Sequence, residues 1–512
     1  MNSQQKERVV IDDVDQALSL LDGKIKKEGT SCTHGPRQKC VGCLPLDPYD
    51  EKYLADKGIK HMSFHSYVHK LSDLHGKGTR SKNMLETLNY KINLDCHRHR
   101  PFPEGICTEC RPPTVTLSRQ PFRHVDNIEF ENDSIVNEFL NFWRNSNCQR
   151  IGFLIGKYEQ FSEVPLGIKA VVCAIYEPLQ NSNENSVGFE INENGEKRKN
   201  LNVKVDQLCS WLGMKRVGWI FTDLWNESRT LGTVKCIRNE DSFLLSASEC
   251  ITAGNLQSHF KNATNYCDTG YFVSNQCTAM VEANILCPTK THPELAWARE
   301  TPLNEKHYIT SVQYTEKNER GEEVFRDGRP MPVEYLLVDV PCGVRKVPNY
   351  TFPRGKEGKE FPVENRSEIG QTQELNDISK YFNSFKFPEQ FLEMASNFHF
   401  LLFLYTNNFV PFSKEEIKNL AQIVVKKDEN EAKKWLQEST NLATLIMLIG
   451  EIGREIPRTK IKTTTKTTAT SQTNNNNIVA GAVGAAGGSS GNNNNEAGGQ
   501  QQQQPEWTCR HC

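Results

Sequence analysis

No stretch of the 512-residue chain is apolar enough to cross a bilayer. The densest run, Phe398–Leu404, contains His399 and falls far short of the roughly 20 residues a spanning helix takes. The opening residues Met-Asn-Ser-Gln-Gln-Lys-Glu-Arg hold neither an apolar signal segment nor an Arg-rich amphipathic presequence, so the expected location is cytosol or nucleus. A surplus of one charge is missing too. The 61 Lys and Arg face 63 Asp and Glu, a formal net charge of −2, which excludes a global pull toward nucleic acid or anionic lipid. One local basic stretch exists, with Arg98, Arg100, Arg111, Arg119 and Arg123. It carries no C2H2 recognition-helix spacing and no aromatic RNA-binding signature, so direct nucleic-acid binding is not expected.

Cysteine is abundant: 17 residues, an odd number. In a reducing compartment these are expected as thiols or metal ligands rather than disulfides. Two sets have ligand spacing. The first is Cys32-Thr-His34, five residues, then Cys40-Val-Gly-Cys43; the second is Cys96-His-Arg-His99, seven residues, then Cys107-Thr-Glu-Cys110. A C-x2-C turn offers two thiolates to one ion, and another Cys and a His complete the tetrahedron zinc prefers with sulfur and nitrogen. His97 competes with His99 for the second set, and His61, His65 and His69, one helical face at i, i+4 and i+8, are alternative donors or simply packed residues. Four local ligands per set, with no carboxylate placed to activate a water, mark both zinc sites as structural. A third signal, Trp507-Thr-Cys509-Arg-His-Cys512, supplies only two ligands; Cys509 and Cys512 would bind a third zinc only in a completed finger.

The texture of the chain divides it. A short amphipathic segment occupies 1–23, and a Cys/His-rich region with a weak apolar pattern occupies 24–124. Strand-like runs at Arg150–Ile155, Gly167–Ile175 and Lys215–Phe221, with helical patterns at Ile135–Trp143 and Val203–Trp211, indicate an α/β domain over 125–345. Ala247–Leu256 reads as a further helix, and Tyr271–Val273 and Val333–Val340 as further strands. Residues 346–460 read as helical: Gln390–Leu404, a capping box Ser413-Lys-Glu-Glu416 opening an amphipathic stretch, and Asn441–Ile452. The Thr/Lys, Asn, Gly/Ala and Gln runs of 461–504 are expected as a disordered linker before an incomplete finger at 505–512.

Within the α/β region, Arg216-Val-Gly-Trp-Ile-Phe-Thr-Asp-Leu224 resembles the strand of MPN (JAMM) metalloprotease domains, which reads G-W-x-H-[ST]-H-P. In those enzymes two strand histidines and a later S-x2-D segment serve the zinc, and an upstream Glu deprotonates the bound water. Here Phe221 and Asp223 replace the histidines, Gln149 replaces the Glu, and Ser246 and Glu249 match the S-x2-D segment only at a longer spacing. The expectation is an MPN scaffold that has lost its chemistry; a zinc-dependent deubiquitinase is the disfavoured alternative.

The order of features resembles the nuclear protein localization protein 4 family. The resemblance rests on Cys32-Thr-His-Gly-Pro…Lys39-Cys-Val-Gly-Cys43, His61-Met-Ser-Phe-His65, Arg98-His-Arg-Pro-Phe-Pro-Glu-Gly-Ile-Cys-Thr-Glu-Cys110, Phe122-Arg-His-Val-Asp-Asn-Ile128, Val217-Gly-Trp-Ile-Phe-Thr-Asp-Leu224 and Pro332-Val-Glu-Tyr-Leu336. It implies a multidomain α+β protein: paired zinc fingers, a catalytically silent MPN domain and a helical C-terminal domain. It further implies a ubiquitin-fusion-degradation partner protein, docking on the hexamer of a valosin-containing-protein-class AAA ATPase, and binding of polyubiquitin of the proteasome-targeting lysine linkage. Substrates extracted from the endoplasmic reticulum are included, so membranes are met only indirectly. Two departures stand out. Many relatives carry a ubiquitin-like domain ahead of the fingers; with about thirty residues before Cys32 here, its contact with the ATPase is expected to be absent or supplied by the partner, and of the terminal finger only Trp507, Cys509 and Cys512 are present.

Overall fold

In the computed structural model the described residues are 13–27, 40, 42–75, 95–101, 104–105, 107–109, 115–189, 196–222, 225–228, 233–235, 249, 252, 256, 312–327, 340–353 and 360–452. Their centre is a five-stranded mixed sheet ordered Cys342–Val344, Asn127–Phe130, Gly167–Tyr176, Ile151–Phe161, Lys215–Phe221. The first three strands run parallel to one another, and the last two pairings are antiparallel. The middle strands are buried along most of their length, so they read as apolar runs rather than alternation. A bulge sits at Ile155/Gly156, where a Cβ on Gly156 would lie 1.8 Å from the carbonyl oxygen of Val171. Only glycine permits that approach.

The strand expected to stop at Ile155 continues to Phe161. The polar residues that obscured it, Lys157 and Glu159, belong to a charge ladder on the sheet surface. Lys169 Nζ lies 3.1 Å from Glu129, and Arg345 reaches Glu129 Oε1 at 2.5 Å and Glu159 Oε2 at 3.2 Å. Helix Asp133–Ser146 packs on the sheet through Phe139, Phe142 and Trp143 and ends in Asn147, whose left-handed backbone (φ 60°) stops it. The short N-terminal helix Asp13–Ser19 joins the same core through Leu18, alongside Val125, Phe130 and Ile168. It is thus part of the sheet's packing although the sequence marks it only as a small separate segment.

The Cys/His region contributes helices Glu51–Asp56 and Phe64–His75 and the parallel pair Met62–Ser63 with Phe122–Arg123. A small core of Leu54, Met62, Phe64 and Phe122 holds them together. The Ser63 and Ser66 hydroxyls both donate to the carbonyl of Pro165, at 2.6 and 2.8 Å, which joins this region to the sheet. A separate three-stranded sheet pairs Val115–Leu117 with the hairpin Val312–Lys317/Glu323–Asp327.

From 375 onward the described residues are mostly helical: Leu375–Asn383, Phe391–Ala395, Phe398–Thr406, Lys414–Lys426, Glu429–Glu438 and Thr440–Ile452. The single helix expected over Gln390–Leu404 is two, because Asn397 adopts an extended backbone and its side chain accepts the Phe400 amide, starting a new helix. The Ser413/Glu416 capping box is present with both reciprocal bonds. Phe398–Thr406 is buried almost all round and lies against helix Glu196–Trp211, where Lys204 donates to the Tyr405 carbonyl at 2.9 Å.

Segment 361–371 ties these helices to the sheet. Glu177, Arg150 and Arg366 are each about 1% exposed. The Glu177 carboxylate accepts from Arg150 Nε at 2.7 Å and from both Nε and an NH2 group of Arg366. The Glu177 amide donates to Glu364 at 3.0 Å, and Glu364 in turn holds His399 Nδ1 at 2.7 Å. Among the described residues no helix is long and apolar enough to cross a membrane. The expected helix over Ala247–Leu256 has only Glu249, Thr252 and Leu256 described, each helical. The expected strand Tyr271–Val273, residues 333–339 of the other expected strand, and 461–512 lie outside the described residues.

Candidate functional site

The second Cys/His set assembles from residues on both sides of a short loop. Cys96, His99 and Cys107 present ligand atoms within 4.8 Å of one another, and the Cys96 and Cys107 sulfurs are 3.7 Å apart. Two thiolates on one tetrahedral zinc, with Zn–S of about 2.3 Å, sit roughly 3.8 Å apart. The spacing is therefore that of a shared ion. His99 Nδ1 lies 2.6 Å from the Arg100 carbonyl oxygen, which fixes Nδ1 as the protonated nitrogen and leaves Nε2 for a metal. Hydrogen bonding to that carbonyl, with smaller contributions from Cys96 and Cys107, raises the imidazole pKa. A Cβ at Gly105 would meet His99 Nδ1 at 3.0 Å and the Arg100 carbonyl at 2.9 Å; the missing side chain lets the loop fold over the imidazole. Cys110, the fourth expected ligand, lies outside the described residues, and His97 is exposed and not in the cluster.

Of the first set, Cys40 and Cys43 are described. Their sulfurs are 3.8 Å apart, again the separation of two zinc thiolates. The turn that brings them together is closed by the Cys43 and Leu44 amides, both 3.1 Å from the Cys40 carbonyl. Cys32 and His34 lie outside the described residues, as do Cys509 and Cys512. Of the alternative donors, His65 and His69 are otherwise engaged, and His61 precedes the helix Phe64–His75. His65 Nε2 is buried against Asp15 Oδ1 at 2.8 Å, and His69 Nε2 meets the Leu21 carbonyl at 3.2 Å. This histidine face fastens the N-terminal helix to helix Phe64–His75. Elsewhere Cys173 and Cys209 are buried thiols whose pKa burial pushes up to about 12, so they are inert core residues.

The expected position of lost catalysis lies at the end of the sheet. Phe221 pairs with Ile151 across the strands, and its ring stacks on Trp219 with centroids 5.0 Å apart. Gln149 is buried with both ends of its amide engaged: Nε2 donates to the Glu184 carbonyl at 2.9 Å, and Oε1 accepts the Thr222 hydroxyl at 2.8 Å. Thr222 Oγ1 also accepts the Arg150 amide at 2.8 Å. The amide therefore works as a structural cross-link between the strand start, the following loop and the end of Lys215–Phe221. Thr222 was invisible to motif reasoning, although its place directly after Phe221 at the motif's [ST] position is a usable signal. Asp223 and Ser246 lie outside the described residues, and Glu249 is a half-buried helical residue.

Comparison with known proteins bears on these features. Residues 9–147 match the family model described as "NPL4 family, putative zinc binding region", and residues 150–275 and 269–450 match "NPL4 family". The chain is 50% identical over 472 residues to Nuclear protein localization protein 4 homolog 1 of Caenorhabditis elegans, covering 87% of each chain. It is 39% identical to the Homo sapiens Nuclear protein localization protein 4 homolog, over 88% of this chain and 76% of that one. It is 34% identical to Nuclear protein localization protein 4 of Saccharomyces cerevisiae, over 86% and 80% respectively.

Proposed function

The chain belongs to the NPL4 family, and from that footing we propose that it is a non-enzymatic adaptor that binds polyubiquitin and, with a ubiquitin-fusion-degradation partner, delivers it to an AAA ATPase unfoldase. In this reading it recognises the proteasome-targeting lysine linkage and serves proteasomal degradation, including endoplasmic-reticulum-associated degradation. It works in cytoplasm and nucleus and peripherally at the endoplasmic reticulum membrane. The observation that carries the reading is the fate of the MPN-like position. A water-activating base must have a free carboxylate beside the metal; Gln149 offers an amide with both ends bonded, and Phe221 offers a stacked ring. The residues at these positions serve packing rather than chemistry, which supports binding rather than hydrolysis.

The two Cys/His sets support a structural metal role. Zinc bound there would supply folding energy to a region whose described apolar core is small. Cys40, Cys43, Cys96, His99 and Cys107 would hold it, with Cys32, His34 and Cys110 as the remaining ligands. Several weak ubiquitin contacts joined on one rigid chain raise effective concentration without any covalent step. The test is a docking assay on the ATPase hexamer with Cys107→Ser. Loss of one zinc and of ATPase docking, with polyubiquitin capture retained, is the expected result. Retained docking after zinc loss would refute the anchoring role of the fingers.

A further inference from the structure

Residues 13–27 touch three parts of the molecule in succession. The helix Asp13–Ser19 is too short to persist in water by itself. Its Leu18 is buried in the sheet core with Val125, Leu166 and Ile168, and its buried Asp15 holds His65 Nε2 at 2.8 Å. The Leu21 carbonyl then meets His69 Nε2 at 3.2 Å. The chain turns at Gly23, where φ is 62° and a Cβ would lie 2.5 Å from the Leu166 side chain, so only glycine fits. Beyond the turn, Ile25 and Leu46 exchange N–H···O bonds in both directions at 2.9 Å, and Lys24 pairs with Asp47.

That antiparallel bridge is the neck of a loop. The sequence places all four expected ligands of the first Cys/His set, Cys32, His34, Cys40 and Cys43, between the two bridged positions. The turn that sets the Cys40 and Cys43 sulfurs 3.8 Å apart closes at Leu44, just before the bridge. Ligands from both arms gathered on one ion would hold the arms together and spare the bridge the entropy of closing an open loop. The Leu46 arm is anchored in its own right: the Tyr49 hydroxyl donates to Asp73 Oδ2 at 2.6 Å, and Asp50 caps helix Glu51–Asp56. The arm that yields when the loop opens is therefore the one continuous with residues 13–25.

We propose that residues 13–27 form a strap whose seating on the sheet is coupled to metal occupancy of the first Cys/His set, and of that set alone. The strap has two states. Seated, it fills the sheet core with Leu18 and pairs Asp15 with His65; released, it uncovers the apolar seat of Leu18 and parts the two polar groups. Metal ligation at one end and core packing at the other bias the same equilibrium, so the coupling is reciprocal: ligation favours the seated helix, and the seated helix tightens ligation. The second set has no such link through the chain, because Cys96, His99 and Cys107 all lie beyond helix Phe64–His75, outside the bracketed loop. The proposal rests on the metal reading of the first set and is independent of the adaptor reading.

The experiment measures zinc content and amide hydrogen exchange in the zinc-loaded full chain, in Cys40→Ser and in Cys107→Ser. Expected in Cys40→Ser is loss of about one zinc, with amides of residues 17–25 exchanging about ten-fold faster or more, a factor typical of coupled sites, and helix Phe64–His75 changing far less. Cys107→Ser should also lose about one zinc yet leave residues 17–25 unchanged. Zinc loss in Cys40→Ser without faster exchange at 17–25 overturns the coupling alone. Unchanged zinc content in Cys40→Ser overturns it together with the metal reading of the first set. Equal acceleration in residues 17–25 and in Phe64–His75 would mean that the region unfolds as a whole, and faster exchange at 17–25 in Cys107→Ser would mean that the first set has no special link; either overturns the proposal. Leu18→Ala reads the reverse direction with every metal ligand in place. A chelator should extract zinc from one site about ten-fold faster than in the parent, and equal extraction refutes the reciprocity.

Discussion

Replacing Glu177 by Gln tests how the helices are held to the sheet. The Glu177 carboxylate neutralises two guanidinium groups, and all three residues are about 1% exposed. Removing one partner from a buried ion pair costs about 3–5 kcal/mol, because the remaining charge stays buried without its counter-ion. Here some acceptors survive: Arg150 keeps the Asn365 carbonyl and Glu368, and Arg366 keeps the Glu138 carbonyl and Gln371. The lower end, about 3 kcal/mol, is therefore expected. The loss should be local, falling on segment 361–371 and the elements it joins. Amide hydrogen exchange reads this directly, because local opening is measured segment by segment. Amides of Gly167–Tyr176 and Phe398–Thr406 should exchange faster by about 100-fold, the factor such an energy implies. The hairpin Val312–Asp327 has no contact with the triad and should be unchanged. Acceleration under about ten-fold, or equal acceleration throughout, would refute the idea that this triad fastens the two parts.

Gln149→Glu should leave the chain without isopeptidase activity and less stable by about 1–3 kcal/mol, since a buried carboxylate would face the Glu184 carbonyl where an amide donor now sits; denaturant titration and a cleavage assay check both halves. Gly105→Val should push against His99 and weaken metal binding at the second set while sparing the first, seen as loss of about one zinc on competition with a chelator. Stability should depend on pH through two buried groups of opposite sign. Burial raises Asp126 from 3.8 to about 7, so its contribution is complete below pH 4 and is lost as pH rises toward 7; burial lowers His124 from 6.5 to about 4, so its contribution is complete above pH 6.5 and is lost as pH falls toward 4. In Asp126→Asn only the His124 effect remains, and the melting temperature should fall more steeply from pH 6.5 to 4 than in the parent; an unchanged profile would refute the assignment.

The Cys/His sets were legible in the sequence because their geometry is local: a C-x2-C turn sets its own sulfur separation, and Cys40–Cys43 has it. The central strands were legible as apolar runs, but their ends were not. Lys157 and Glu159 look like a strand's termination until Lys169 and Arg345, far along the chain, are placed beside them. Asn397 hid a helix break because a cap is indistinguishable from a surface asparagine until its backbone turns extended. His65 stayed open between metal donor and packed residue because its partner, Asp15, lies 50 residues earlier in a segment too short to suggest a role. Glu138 reads as the polar face of an amphipathic helix; it lines a cleft with Phe352, Val363, Arg366 and His399, and no local pattern announces that. In the catalytic comparison the substitutions at Gln149 and Phe221 were plain, whereas the hydrogen-bonded use of Gln149 needed Thr222 and Glu184 in place.

The most direct test of the central claim is to incubate the zinc-loaded full chain with polyubiquitin of the proteasome-targeting linkage and follow retention and chain length together. The adaptor account predicts that the polyubiquitin is retained at its original length for as long as it is bound. Release of shorter chains or free ubiquitin, abolished by a zinc chelator, would mean that a metal-dependent hydrolase is at work, and failure to retain polyubiquitin at all would remove the adaptor reading with it.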